Sequence, residues 1–270
     1  MSRKTEALKD LVQNPVSRRD FAKRTMAGSL VAAGALAMGK PADLFAQSIS
    51  DEAVLNFALN LEYLEAEFYT VALTGQRIAD IGIGVSGRGR QGATVGGARV
   101  SLDDRTRVVT EQVALDEQKH VLFLRAALRS SAVAKPAINL EALGLGFRTQ
   151  TEFLTLSRAF EDLGVSAYAG AAKLISNKAI LEAAARIALT EGQHAGVFRY
   201  LIAQANVAVP QVDKLDVPPL GSPNGRLFQV DGNGLSTVRS ASEVLRAVYA
   251  GNAARGGFFP DGVNGDIATA

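Results

Sequence analysis

Cysteine and tryptophan are absent from the 270 residues, histidine occurs only twice and methionine three times. Without cysteine there is no disulfide, no thiolate metal site and no cysteine nucleophile, so any metal chemistry must use carboxylates and imidazoles. There is also little excess of charge: the formal net charge is +2, and 21% of residues are charged. The basic residues gather in the first 25 positions and at Arg77, Arg88, Arg90 and Arg99. No aromatic-studded basic face accompanies them, which excludes nucleic acid as a partner. β-branched runs are few, while alanine-rich stretches alternate with two glycine-rich ones, a composition that favours helices. With 47% hydrophobic residues the chain has the means to build a well-buried core and is not a disordered sequence.

Residues 17–23 read Ser-Arg-Arg-Asp-Phe-Ala-Lys and precede a mildly apolar run over 27–38. Paired arginines, then Phe, then Lys, ahead of a weakly hydrophobic segment, form the pattern of a twin-arginine export signal. The apolar run is too short for a permanent membrane span. We place the signal at 1–47, with Ala35-Leu36-Ala37 and Ala46 as alternative cleavage points. The protein is therefore expected outside the cytoplasm, in the periplasm or beyond. Twin-arginine export moves folded proteins, often with a cofactor installed, which suits a metal site loaded in the cytoplasm.

Beyond the signal the periodicity predicts four long helices. Ser48 or Ser50 can cap the first, over about 51–73, with apolar positions at Val54, Leu55, Ala58, Leu61, Phe68 and Val71. A glycine-rich stretch over about 75–100 reads as a long loop or irregular hairpin. Ser101 with Asp104 gives a cap-like start to a second helix ending near 129. A long connection over 130–148 leads to a third helix (about 151–176), and a short turn at Asn177 to a fourth (about 179–204). From 207 onward the chain is rich in Pro, Gly and Asp, and Ser240 with Glu243 forms a capping box for one short helix over about 240–249. The expected fold is all-α: a four-helix bundle over 48–206, with a long glycine-rich loop after helix 1 and a loop-rich C-terminal extension over 207–270 wrapping it. Long crossovers of this kind fit ferritin-like connectivity.

Both histidines stand three residues after a glutamate, as Glu117-x-x-His120 in the second helix and Glu191-x-x-His194 in the fourth. That spacing puts carboxylate and imidazole on one helix face. With 13 glutamates in the chain, chance gives this double coincidence on the order of one time in 400. Each pair interrupts an apolar stripe: Ile187, Glu191, His194, Phe198 and Leu201 in one helix, Val109, Val113, Glu117, His120, Leu124 and Leu128 in the other. An unpaired carboxylate in such a stripe costs several kcal/mol, roughly, through desolvation, and metal ligation offsets that cost. The first helix adds Glu62, on a face with Leu55, Leu59, Ala66 and Tyr69. Glu65 lies about 60° away, where it can also reach the centre, and Glu67 points elsewhere. The third helix adds Glu161, on a face with Leu154, Val165 and Tyr168. The competing readings are bland: acidic turns on solvated faces, Glu161 and Asp162 as a solvated pair, and Tyr69 and Tyr168 as core tyrosines. The six residues Glu62, Glu117, His120, Glu161, Glu191 and His194 together make the ligand set of di-iron and di-manganese carboxylate bundles.

The segment over 55–69, Leu-Asn-Phe-Ala-Leu-Asn-Leu-Glu-Tyr-Leu-Glu-Ala-Glu-Phe-Tyr, resembles the opening helix of a ferritin-like family that includes plant desiccation-related proteins and exported bacterial relatives. The segments over 161–168, Glu-Asp-Leu-Gly-Val-Ser-Ala-Tyr, and 256–265, Gly-Gly-Phe-Phe-Pro-Asp-Gly-Val-Asn-Gly, are similar to the same group. By similarity to bacterioferritin-type sites, the resemblance implies that Glu117 and Glu191 bridge two metals. Glu62 and His120 then complete one ion's shell, and Glu161 and His194 the other's. The leader, the long loop and the extended tail depart from storage ferritins and argue against a storage cage.

The expected function is that of an exported dinuclear protein holding two iron ions, with manganese as the alternative. It would oxidise ferrous iron or reduce dioxygen or peroxide in stress protection, as an oxidoreductase of ferroxidase, peroxidase or catalase type. The alternative is a structural, desiccation-protective envelope protein whose site is vestigial or stabilising. The expected partners are the export machinery and dioxygen or peroxide as small-molecule substrate, with a homo-oligomer left open.

Overall fold

The computed structural model describes residues 49–270, so the export signal placed at 1–47 lies outside the described residues. Within them the helices are α1 (Asp51–Thr74), α2 (Asp104–Leu128), α3 (Gln150–Ala171), α4 (Lys178–Ala205) and a short α5 (Ala241–Val248). Local chemistry sets each start. Ser50, rather than Ser48, caps α1 by accepting the Ala53 N–H. Asp103, not the expected Ser101, caps α2 through the Thr106 N–H. Asn177 accepts from Ala179 and Ile180 to open α4, and the capping box at Ser240 and Glu243 opens α5. The third helix ends as α-helix at Ala171 and tightens into a 3₁₀ turn over Ala172–Leu174, short of the expected end.

α1 packs chiefly on α2 and α3 chiefly on α4, so the bundle is two antiparallel hairpins laid together. The central element is α1, in which every residue from 59 to 72 is buried. A helix covered on all sides needs more than one partner surface. The extra cover comes from the glycine-rich loop, the α2–α3 connection and the tail. The loop is not a hairpin: its two-residue strand β1 (Thr94–Val95) pairs in parallel with β2 (Ile138–Asn139) of the connection.

These irregular segments dock on α1 through polar side chains spaced four, three and four residues apart. Asn56 donates to Ser131 O and accepts from the Val133 N–H. Asn60 donates to Asn264 O and accepts from the Asn264 N–H. The Tyr63 hydroxyl donates to Val133 O, and Glu67 accepts from the Ile78 N–H and the Thr94 hydroxyl. Asn264 carries the bonding outward, accepting from the Arg90 N–H and donating to Arg90 O and Ala134 O. This is where Glu67 goes: it holds the loop.

The tail also grips α3 and α4. Asp162 and Arg199 form a buried bidentate pair, and Arg199 donates onward to Val217 O and Arg226 O. Arg158 pairs with Asp216 of the tail. Asp162 is therefore no solvated partner of Glu161; it faces a different partner from the same buried helix. At Gly170 the tail backbone crosses so closely that an added Cβ would lie 1.9 Å from Arg239 O.

Asn60 is fully buried and its amide satisfies tail backbone. Asn60→Ala leaves those groups unpaired and should lower stability by about 1–3 kcal/mol. The expected readout is a lower melting midpoint with earlier proteolysis of the C-terminal segment, and unchanged metal content.

Candidate metal centre

The face of α1 opposite the loop contacts carries Glu62, Glu65 and Tyr69. The i,i+3 spacing of α2 and α4 turns Glu117 with His120, and Glu191 with His194, toward the same point. His120 Nδ1 lies 3.1 Å from Glu117 Oε2, 3.2 Å from Glu62 Oε2 and 3.4 Å from Glu191 Oε1. His194 Nδ1 lies 3.0 Å from Glu117 Oε1 and 3.2 Å from Glu161 Oε2. The two imidazole rings are 6.4 Å apart, centre to centre. All six expected residues are thus brought together.

Their donor atoms fall into two clusters, Glu62–Glu117–His120–Glu191 and Glu117–Glu161–Glu191–His194. Within each, the atoms lie within 4.8 Å of one another. Glu117 and Glu191 belong to both. One imidazole N–H can satisfy one acceptor, yet three carboxylates crowd His120 Nδ1. Glu62 Oε2, Glu117 Oε1 and both Glu191 oxygens are buried with no hydrogen-bond partner. Buried orphan oxygens converging on imidazole nitrogens fit cations of the hard-to-intermediate class, bound by O and N donors.

The outer oxygens of the two terminal carboxylates are held by tyrosines. Tyr69 of α1 donates to Glu161 of α3, and Tyr168 of α3 donates to Glu62 of α1. The sequence reading of these tyrosines as core residues is corrected here: they orient ligands. The available signal was Glu-x₆-Tyr, present in both helices as Glu62–Tyr69 and Glu161–Tyr168.

At the third position after each of these glutamates the two halves differ: α1 has Glu65 and α3 has Gly164. A Cβ at Gly164 would sit 2.3 Å from Glu191 Oε2 and 3.4 Å from Glu65 Oε1. The glycine vacates the space that the Glu191 carboxylate fills. Glu65 becomes a fifth buried carboxyl at the centre.

The electrostatics follow from crowding. Burial, then the charges of Glu191, Glu117, Glu161 and Glu62, push Glu65 well above the carboxylate range. Burial and neighbouring carboxylates push Glu117 and Glu191 up to about 8 and raise Glu161 as well. Burial works against the charge of Glu62, but His120 outweighs it and holds this carboxyl low. Burial likewise opposes the imidazolium forms, and the carboxylates overcome it, raising His194 to about 11 and His120 further.

A four-helix bundle with Glu, Glu-x-x-His, Glu and Glu-x-x-His aimed at one centre defines the class of carboxylate-lined metal bundles. The ferritin-like domain model matches residues 50–204, more than half of the chain, and the protein belongs to that family. Among curated proteins it is similar to the ferritin-like catalase Nec2 of Nesocodon mauritianus. The two are 25% identical over 280 aligned positions, covering 84% of this chain and 89% of that protein.

Alanine is favoured over glycine inside a helix by about 1 kcal/mol. Gly164→Ala should nonetheless displace Glu191 and cut metal content severalfold while helicity is kept, measured by elemental analysis beside circular dichroism. The chelator-stripped protein should also respond to pH. Its folded state keeps protons on Glu117 and Glu191 between their ordinary 4.5 and about 8, and on His194 between 6.5 and about 11. The unfolded state binds fewer in those windows, so stability falls as pH rises through them. Melting midpoints of stripped protein should decline from pH 5 to pH 9, and metal reloading should flatten that decline.

Proposed function

We propose that the protein is an exported metalloprotein holding two redox-active metal ions, iron or with the same ligands manganese. It would turn over peroxide, or oxidise ferrous iron with dioxygen, in protection against oxidative stress. The observation that supports this most is sharing: Glu117 and Glu191 each serve both donor clusters. In that arrangement Glu62 and His120 complete one ion's shell, and Glu161 and His194 the other's. A bound pair of redox metals supplies a two-electron store, with which one peroxide is reduced to two waters while a second is oxidised to dioxygen. The peroxide branch is supported by the relative named a ferritin-like catalase.

The chain's own residues provide the setting. Tyr69 and Tyr168 fix the outer carboxylates, leaving the inner oxygens for ligation. Phe68, Phe153, Phe160 and Phe198 pack around Tyr69 and exclude water from that end. Glu65, kept protonated by its neighbours, holds a proton beside Glu191, where oxygen reduction consumes one. Export rests on the twin-arginine pattern over 17–23.

Elemental analysis of purified protein should give close to two iron or manganese ions per chain, and Glu117→Ala or His194→Ala should abolish binding. Glu65→Gln should keep the metal and lower peroxide turnover about 100-fold, the ordinary weight of a general acid. A fully helical, metal-free wild type after metal-replete expression would overturn the reading. Equal peroxide decomposition and ferrous oxidation by wild type and Glu62→Ala would leave the structural, protective alternative.

A further inference from the structure

The six ligands are not equally shut away. The His120 side chain is 12% exposed, that of His194 7%, and the four carboxylates 1% or less. The exposed edge of His120 forms part of the wall of a cleft of about 470 Å³ between α2 and α4. Lys119 and Phe123 flank it on α2; Ala183, Arg186, Leu189 and Thr190 face it from α4.

The charged residues on that wall are Lys119 and Arg186, and both are solvent-exposed. The nearest acids stand elsewhere. Asp116 lies 3.5 Å from Lys119 Nζ, accepts from Gln112, and sits 3.6 Å from His194 Nε2, covering the other histidine. Glu182 is exposed one helical turn before Arg186 and is not part of the wall. A cleft lined by one sign of charge with low-dielectric walls focuses the field on whatever enters.

We propose that this cleft is the access route to the metal centre, and that Lys119 and Arg186 are its specificity-determining residues. They admit small anions and uncharged molecules and turn divalent cations away. The inference rests on the metal-centre reading and sharpens it: hydrogen peroxide, uncharged near neutral pH, passes freely, while free ferrous iron is a poor substrate.

The test is the double variant Lys119→Glu/Arg186→Glu in the full-length, metal-loaded protein, with azide as a small anionic probe. Azide affinity, followed by absorption or calorimetry, should fall about 10-fold at low ionic strength and recover at high salt, as expected of exposed charges. Ferrous uptake by the chelator-stripped variant should speed up about 10-fold, while the rate with hydrogen peroxide stays close to wild type. Opposite movement for anion and cation is an effect that mere local damage does not produce. A bulky plug, Ala183→Trp, should slow azide, iron and peroxide alike without changing metal content. Metal-replete variants with unchanged azide affinity and iron uptake would overturn the gate alone. Wild-type protein that takes up no metal would overturn the centre and the gate together.

Discussion

Everything at the heart of this bundle turns on the repulsion among carboxylates removed from water. Glu62, Glu65, Glu117, Glu161 and Glu191 approach one another in a region of low polarizability, where like charges repel far more than at the surface. Protons or cations must balance them. Two imidazoles supply part of the balance, and the orphaned oxygens mark where the rest belongs. The surrounding features follow from that demand. Tyrosine hydroxyls hold the outer oxygens, an aromatic layer keeps water out, and a glycine makes room for a carboxylate that would otherwise collide with α3.

A second polar system performs the opposite task. Asn56, Asn60, Tyr63 and Glu67 satisfy backbone groups of the irregular segments, turning long loops into a fixed covering for α1. The buried Arg199–Asp162 pair does the same for the tail against α3 and α4. Buried ion pairs add little net stability, but their directional bonds fix where a segment lies. One helix, α1, thus carries two polar stripes: one for metal chemistry and one for packing.

Much of this was legible in the chain. Helix number, approximate ends, the tail's capping box and the six converging residues follow from periodicity, from caps and from the scarcity of histidine. What escaped had its partner far away in sequence. Tyr69 and Tyr168 look like core tyrosines until their acceptors, about a hundred positions off, are brought alongside. Gly164 reads as a weak point in a helix because the space it leaves belongs to Glu191. The full burial of α1 was hidden because loops, which carry no periodicity, cover its second face. Asp103 outcompeted Ser101 as a cap because its carboxylate also accepts from Gln150.

The sharing of Glu117 and Glu191 has a consequence for assembly. The α1–α2 hairpin supplies three donors of one cluster and lends one to the other; the α3–α4 hairpin does the reverse. Neither hairpin alone owns a complete coordination shell. The crossed tyrosines tie the same two units at fixed offsets, so a slip of one residue along α1 would break both ties. Ion capture thus reads out whether the two halves of the molecule have met in register, and the cofactor doubles as the seal on a correctly closed bundle.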